Sequence, residues 1–197
     1  MPETIPTSEL IAQLAGEDSR LREKAGAELF RRGCAAAEPV LKTWFGQSEF
    51  RSLIRSGPRL LTVGVAVGPE RFAEIHRRFG SPRLADVPPD LDAQEFEIDF
   101  AHGVRLDILT TRDGQGGGAI ARFLARSGEG IQQVECEVRD VAQATRLLRS
   151  RFSLEPVYSE ARLGADGTRV NFFLTAAAEG RKVLIELVEI PLTSKSK

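Results

Sequence analysis

At residues 55–59, RSGPR, the hydrophobic period of this 197-residue chain changes, and that change constrains the fold more than any other feature. Before it, apolar residues recur at helical spacing. After it, they alternate. Leu10, Ile11 and Leu14 make a helical stripe behind the N-cap candidates Thr7 and Ser8. Leu21, Ala25, Leu29 and Phe30 predict a second helix that stops at Gly33. AAAEPVLKTWF predicts a third, with Pro39 in its first turn, and SEFRSLI a short fourth.

Beyond the turn the elements come in a repeated order. LLTVGVAV (60–67) reads as a strand, PERFAEIHRRFG (69–80) as a helix, and QEFEIDF (94–100) and VRLDILT (104–110) as strands joined by the turn AHG, with room for a short strand near RLADVP. TRDGQGGG is a flexible connector without the spacing of a phosphate-binding loop. AIARFLARSG is a short helix. Then IQQVECEV is a strand, DVAQATRLLRSRF a helix, and EPVYSEARL, TRVNFFLT and KVLIELVEI are strands. The fold class is therefore α+β: two βαβββ modules, about 58–110 and 128–191, forming a curved mixed sheet with a concave cleft. A small helical segment, 1–57, precedes them, and a frayed tail, 192–197, follows.

One strand face is apolar and belongs against the helices; the other is polar and points into the concavity. Read across the strands, the polar face is Thr62, Glu95, Glu97, Asp99, Asp107, Gln133, Glu135, Glu137, Asn171 and Glu186, mostly acids. Arg105 and Arg169 share the parity of Asp107 and Asn171. Solvent exposure alone would give mixed charges, because like charges on neighbouring strands repel.

Bulk properties narrow the function classes. A net charge of −1 gives no general attraction to nucleic acid or to an anionic membrane. Basic stretches such as HRRFG and RLLRSRF read as solvated helix faces. No apolar run approaches a membrane span, and the N-terminus lacks the pattern of a secretory signal, so the expectation is a cytoplasmic protein. Cys34 and Cys136 are far apart in sequence, which fits a reducing compartment without a disulfide framework. Trp44 lies within an apolar stripe and reads as core.

Two resemblances extend this reading. EDSRLREKAGAELFRRGCAAAEPVL resembles a HEAT-type helical repeat, which cannot bury its own face and should pack on the rest of the chain or on a partner. IARFLARSGEGIQQVECEVRDVAQATRLLRSRF, ARLGADGTRVNFFL and VLIELVE resemble the vicinal oxygen chelate superfamily, and within it methylmalonyl-CoA epimerase. The resemblance is good over about 119–190, weaker over 60–110, and does not reach 1–57.

It implies a divalent metal held by one residue from each of four strands, here Thr62, Asp107, Gln133 and Glu186. It also implies two carboxylates, Glu97 and Glu186, as acid and base on either side of a substrate carbon; Glu135 and Asn171, on the polar face, are the expected ligand contacts. Both metal histidines of the family are replaced here, by Thr62 and Gln133. His76 falls on an exposed helix and His102 in a turn. The remaining oxygen donors suit Mg²⁺, Mn²⁺ or Ca²⁺, or a polar cleft with no cofactor at all.

Three readings follow. One is acid–base isomerisation at a carbon next to a thioester or carbonyl. The second is a metal-free small-molecule-binding protein of the same fold. The third is a non-catalytic interaction protein. The expected partner is a small molecule, not nucleic acid or membrane, and exposed sheet edges favour a homodimer.

Overall fold

The computed structural model describes residues 5–54, 61–112, 117–176 and 182–191. The expected boundary turn at 55–59, residues 113–116 of the Gly-rich connector and the tail lie outside them. The chain divides into two compact units, one made of residues 1–33 and 62–132, the other of 34–61 and 133–197. The N-terminal helical segment is thus shared between the units.

The first unit opens with helix α1 (Thr7–Ala15), which buries Leu10, Ile11 and Leu14. Helix α2 (Ser19–Gly46) follows and continues into the second unit. The stretch expected as two helices is one, which corrects the HEAT-like pairing and both predicted boundaries. The reason lies in two residues. Gly33 is a packing glycine: a Cβ there would sit 2.6 Å from both γ-carbons of Val63. Pro39 interrupts the ladder without breaking the helix. It removes one N–H, and both Pro39 and Ala35, whose carbonyl loses that donor, are exposed to water.

Strand β1 (Leu61–Ala66), helix α4 (Pro69–Arg78), strand β2 (Ala93–Asp99) and strand β3 (Arg105–Thr111) form the first module; helix α3 (Ser48–Leu53) lies before it in the chain and belongs to the second unit. The strand order is β2-β3-β1, with β1 and β3 parallel and β2 and β3 antiparallel. Val63, Val65, Phe96, Ile98, Leu106 and Ile108 are all buried and share one face. No strand forms near 83–88; the segment meets the edge of β2 through a backbone bond from Ala85 N to Glu95 O. Prolines at 82, 88 and 89 withhold the donors a ladder needs. On the opposite face of β2 the side chains of Glu95, Glu97 and Asp99 line the sheet edge. His76 is wedged, not exposed: its ring packs on Phe72 and Phe96 and its Nε2 lies 2.7 Å from the Pro82 carbonyl. His102 sits in the turn at 101–103, with φ of 61°.

Helix α5 (Ala119–Ser127) leads to the second module, built of strand β4 (Gly130–Glu137), helix α6 (Val141–Phe152), and strands β5 (Arg162–Leu163), β6 (Arg169–Ala176) and β7 (Lys182–Glu189). Asp140 caps α6 through the backbone N–H of Gln143. The order β4-β7-β6-β5 repeats that of the first module, again with the outer pair of the βαβ unit parallel and the hairpin antiparallel. Trp44, 1% exposed, packs edge-on against Phe173 and tilted on Phe50, so it is core as expected. Cys34 is half-buried and Cys136 buried, and both thiols are free. Burial pushes Cys34 up to about 11 and Cys136 to about 12, so neither is a nucleophile at neutral pH. Among the described residues no helix is long and apolar enough to cross a membrane.

Candidate functional site

Register decides which predicted residues share a face. In the first unit Glu97 faces Asp107, and Asp99 faces Arg105, across the antiparallel pair. Gly64 faces Asp107 across the parallel pair, so Thr62, two residues earlier, shares that side. Thr62 and Asp107 are buried, whereas Glu97 is exposed. Arg105 is buried among these acids; its Nη1 lies 3.3 Å from Glu97 and its Nε 3.0 Å from Asp99. Strand alternation thus yields a row of carboxylates with one guanidinium as counter-charge, the arrangement that lets like charges share a strand pair.

In the second unit Glu135 faces Glu186 across the parallel β4–β7 pair, and Gln133 shares their side. Gln133 and Glu186 are 7% and 8% exposed, so an amide and a carboxylate are both withdrawn from water. The two are joined: Gln133 Nε2 donates to Glu186 Oε2 at 2.5 Å and to Glu135 Oε1 at 3.3 Å. The bond to a buried carboxylate is charge-assisted and offsets part of its desolvation. Phe172 faces Glu186 on the other flank, and Leu174, 53% exposed, continues the same side. Tyr158 meets Phe172 edge-on, and the Arg162 guanidinium lies 4.6 Å over the Tyr158 ring. The face therefore grades from a buried polar centre to an aromatic wall with a cation at its rim.

Asn171 is not part of this face. Its partner across the hairpin is Leu187, one residue out of step with Glu186, so it points to the helical side. It is fully buried there and takes the place of a peptide group: Oδ1 accepts from Tyr158 N, while Nδ2 donates to Tyr158 O and to Thr145 Oγ1. Its expected ligand contact is thus corrected to an anchor for the 157–158 segment. This clamp also explains why β5 is only two residues long, since a side chain has replaced the ladder at Tyr158. Sequence reasoning missed Tyr158, Phe172 and Arg162 as a group. The run NFFL is apolar on both parities and hides which phenylalanine faces outward.

The four positions that the resemblance assigns to a metal carry a hydroxyl, an amide and two carboxylates, without imidazole. Thr62 and Asp107 belong to the first unit, and Gln133 and Glu186 to the second. Gln133 presents N–H, not its carbonyl, toward Glu186, whereas a ligand amide binds through oxygen. Among the described residues no group of three or more His, Cys, Asp or Glu side chains converges in a way that could hold a metal ion. The donor set does not fit the centre that the resemblance implies.

The chain belongs to the vicinal oxygen chelate superfamily. Its likeness there is to methylmalonyl-CoA epimerases. The crystal structure of the epimerase from Mycobacterium tuberculosis is 30% identical, with a TM-score of 0.54 over 70% of this chain and 93% of that one. The Streptomyces coelicolor epimerase in complex with 2-nitronate-propionyl-CoA is 24% identical, with a TM-score of 0.53 over 68% and 98%. A hypothetical protein from Bacillus halodurans, 19% identical, shares the fold with a TM-score of 0.56 over 70% and 97%. No family model and no curated protein matches the chain.

Proposed function

We propose that this protein is an acid–base catalyst of proton transfer at a carbon next to the carbonyl of an acyl-CoA thioester, with Glu186 as the base. The observation that supports this reading is the buried, hydrogen-bonded Glu186 carboxylate at the centre of β7, beside an aromatic wall on the same face. A carboxylate in such a place is not explained by solubility, and a fixed, desolvated base is what α-proton abstraction needs. Its Oε2 accepts a hydrogen bond from Gln133, and the carboxylate so held takes the proton. The C–H electron pair becomes the C=C bond of an enolate as the carbonyl π pair moves onto oxygen, and a proton from water on the opposite face gives the epimer. Glu135, which faces Glu186 across the parallel pair, is a ligand contact of this proposal.

Deuterium uptake at the α-carbon of methylmalonyl-CoA in heavy water tests the reading. Wild type should exchange the α-proton and invert the centre. Glu186→Gln should lose exchange. Unchanged exchange in Glu186→Gln would remove the base assignment.

A binding role without catalysis rests on the other half of the same face, Tyr158, Phe172 and the exposed Leu174. It predicts CoA-ester binding by calorimetry with no exchange in wild type. The proposal also takes the protein as a cytoplasmic homodimer, consistent with its free thiols, and sedimentation of the full chain would read its mass.

A further inference from the structure

We infer that Gln133 anchors Glu186 by hydrogen bonding in place of a metal, so that the site of the second module works with no metal ion. The inference rests on reading Glu186 as the base. Three observations converge on it. Gln133 and Glu186 are both more than nine-tenths buried, so neither has water as an alternative partner. Their contact, 2.5 Å from Nε2 to Oε2, is the shorter of the two that the amide makes; the one to Glu135 is 3.3 Å. The backbone fixes them as neighbours, because the Glu135–Glu186 register of the parallel pair sets Gln133 on the same side two residues away.

The amide's orientation follows from chemistry. Turned over, its carbonyl oxygen would face a carboxylate oxygen at 2.5 Å, a contact with no proton between two acceptors. A cation shared by Gln133 and Glu186 would require just that inversion, breaking the bond that holds the carboxylate. The amide and a metal are therefore alternatives for the same carboxylate oxygen. Gln133 is in this sense a positioning residue: it holds Oε2, and with it the orientation of the carboxylate.

The test uses full-length protein stripped with EDTA and dialysed, with its metal content measured by elemental mass spectrometry and methylmalonyl-CoA as the exchange substrate. The expected exchange rate without metal lies within about twofold of the untreated protein. Titration with Mn²⁺, followed by calorimetry, should show no stoichiometric site in wild type. Gln133→Met should lower kcat at least about a hundredfold with KM within about threefold, the split expected when a base is mispositioned and binding is retained. Gln133→Glu, which keeps the shape but not the donor, should not rescue it. Circular dichroism checks that each variant is folded. Should Gln133→Met unfold, the stripped wild type and the Mn²⁺ titration still decide. Loss of exchange on stripping, restored by Mg²⁺, Mn²⁺ or Co²⁺, would overturn the inference and leave Glu186 as base. Exchange that is metal-independent but untouched in Glu186→Gln would overturn the base reading, and the inference with it.

Discussion

The two modules share a topology and differ in chemistry. Each has a parallel pair and an antiparallel hairpin, and the registers make residues equivalent by position: Gly64 corresponds to Glu135, Asp107 to Glu186, and Glu97 to Phe172. In the first module the central carboxylate faces another carboxylate on an exposed edge strand, and a buried arginine neutralises the row. In the second it faces a phenylalanine on one flank and Glu135 on the other, and an amide bonds to it. The same backbone thus carries a charge network around an arginine in one copy and a buried carboxylate bonded to an amide in the other.

The modules also meet helix α2 differently. The first approaches through glycines: a Cβ on Gly26 would fall 2.4 Å from the Phe100 ring, and one on Gly33 2.6 Å from Val63. The second uses bulk, with Trp44 set against Phe173. Close backbone approach and large side-chain filling are two solutions to the same packing problem.

The largest effect expected from breaking this contrast is in catalysis. Glu186→Gln should lower α-proton exchange about a thousandfold or more, within the range of general-base effects, while Asp107→Asn changes it less than about tenfold. Equal losses would mean that the modules are chemically equivalent. Next comes Trp44→Ala, which should cost about 3–5 kcal/mol in urea unfolding, as large aromatic truncations do. Gly33→Val should cost about 1–3 kcal/mol by overpacking against Val63, with exchange retained in the folded fraction.

The smallest effect concerns the first half of α2. There Arg31, with Arg32, hydrogen-bonds Glu28 and lowers its carboxyl from the ordinary 4.5 to about 2. A lowered folded value means that the contribution is present above the unfolded value and is lost as pH falls through 4.5 toward about 2. Glu28→Gln should therefore cost less than about 1 kcal/mol at pH 7, as for partly exposed pairs, and progressively less as pH falls through that window. A Tm series against pH for both proteins would show it.

Much of this was legible in the sequence. The switch of period, the repeated strand–helix order and the alternation of Glu95, Glu97 and Asp99 mark the modules and their polar faces, because burial on one face imposes period two. Three things were not legible. Gly33 reads equally as a helix stop or as a point of close approach, and only the neighbour, Val63, tells which. Pro39 reads as a helix start, yet a single missing bond on an exposed side is tolerated inside a long helix. Asn171 looked like part of the polar face because VNFFL offers two parities, and the hairpin register that selects one is a long-range property. The superfamily resemblance survived these errors, since it rests on strand order. The residues that depart from the family pattern, Thr62 and Gln133, pointed to where the chemistry differs. The sequence could not show that the glutamine side chain turns its donor inward.

The acidic row on β2 bears on colloidal behaviour as well. β2 stands at the end of the strand order, and an end strand is where another strand can add to a ladder. A second copy docking there edge to edge would bring two rows of carboxylates to a strand spacing of about 4.8 Å. At neutral pH that encounter is repelled before a ladder can form, so the exposed Glu97 and Asp99 act as a guard against fibre growth. Their removal would be read first as turbidity in a concentrated sample, before any change in stability.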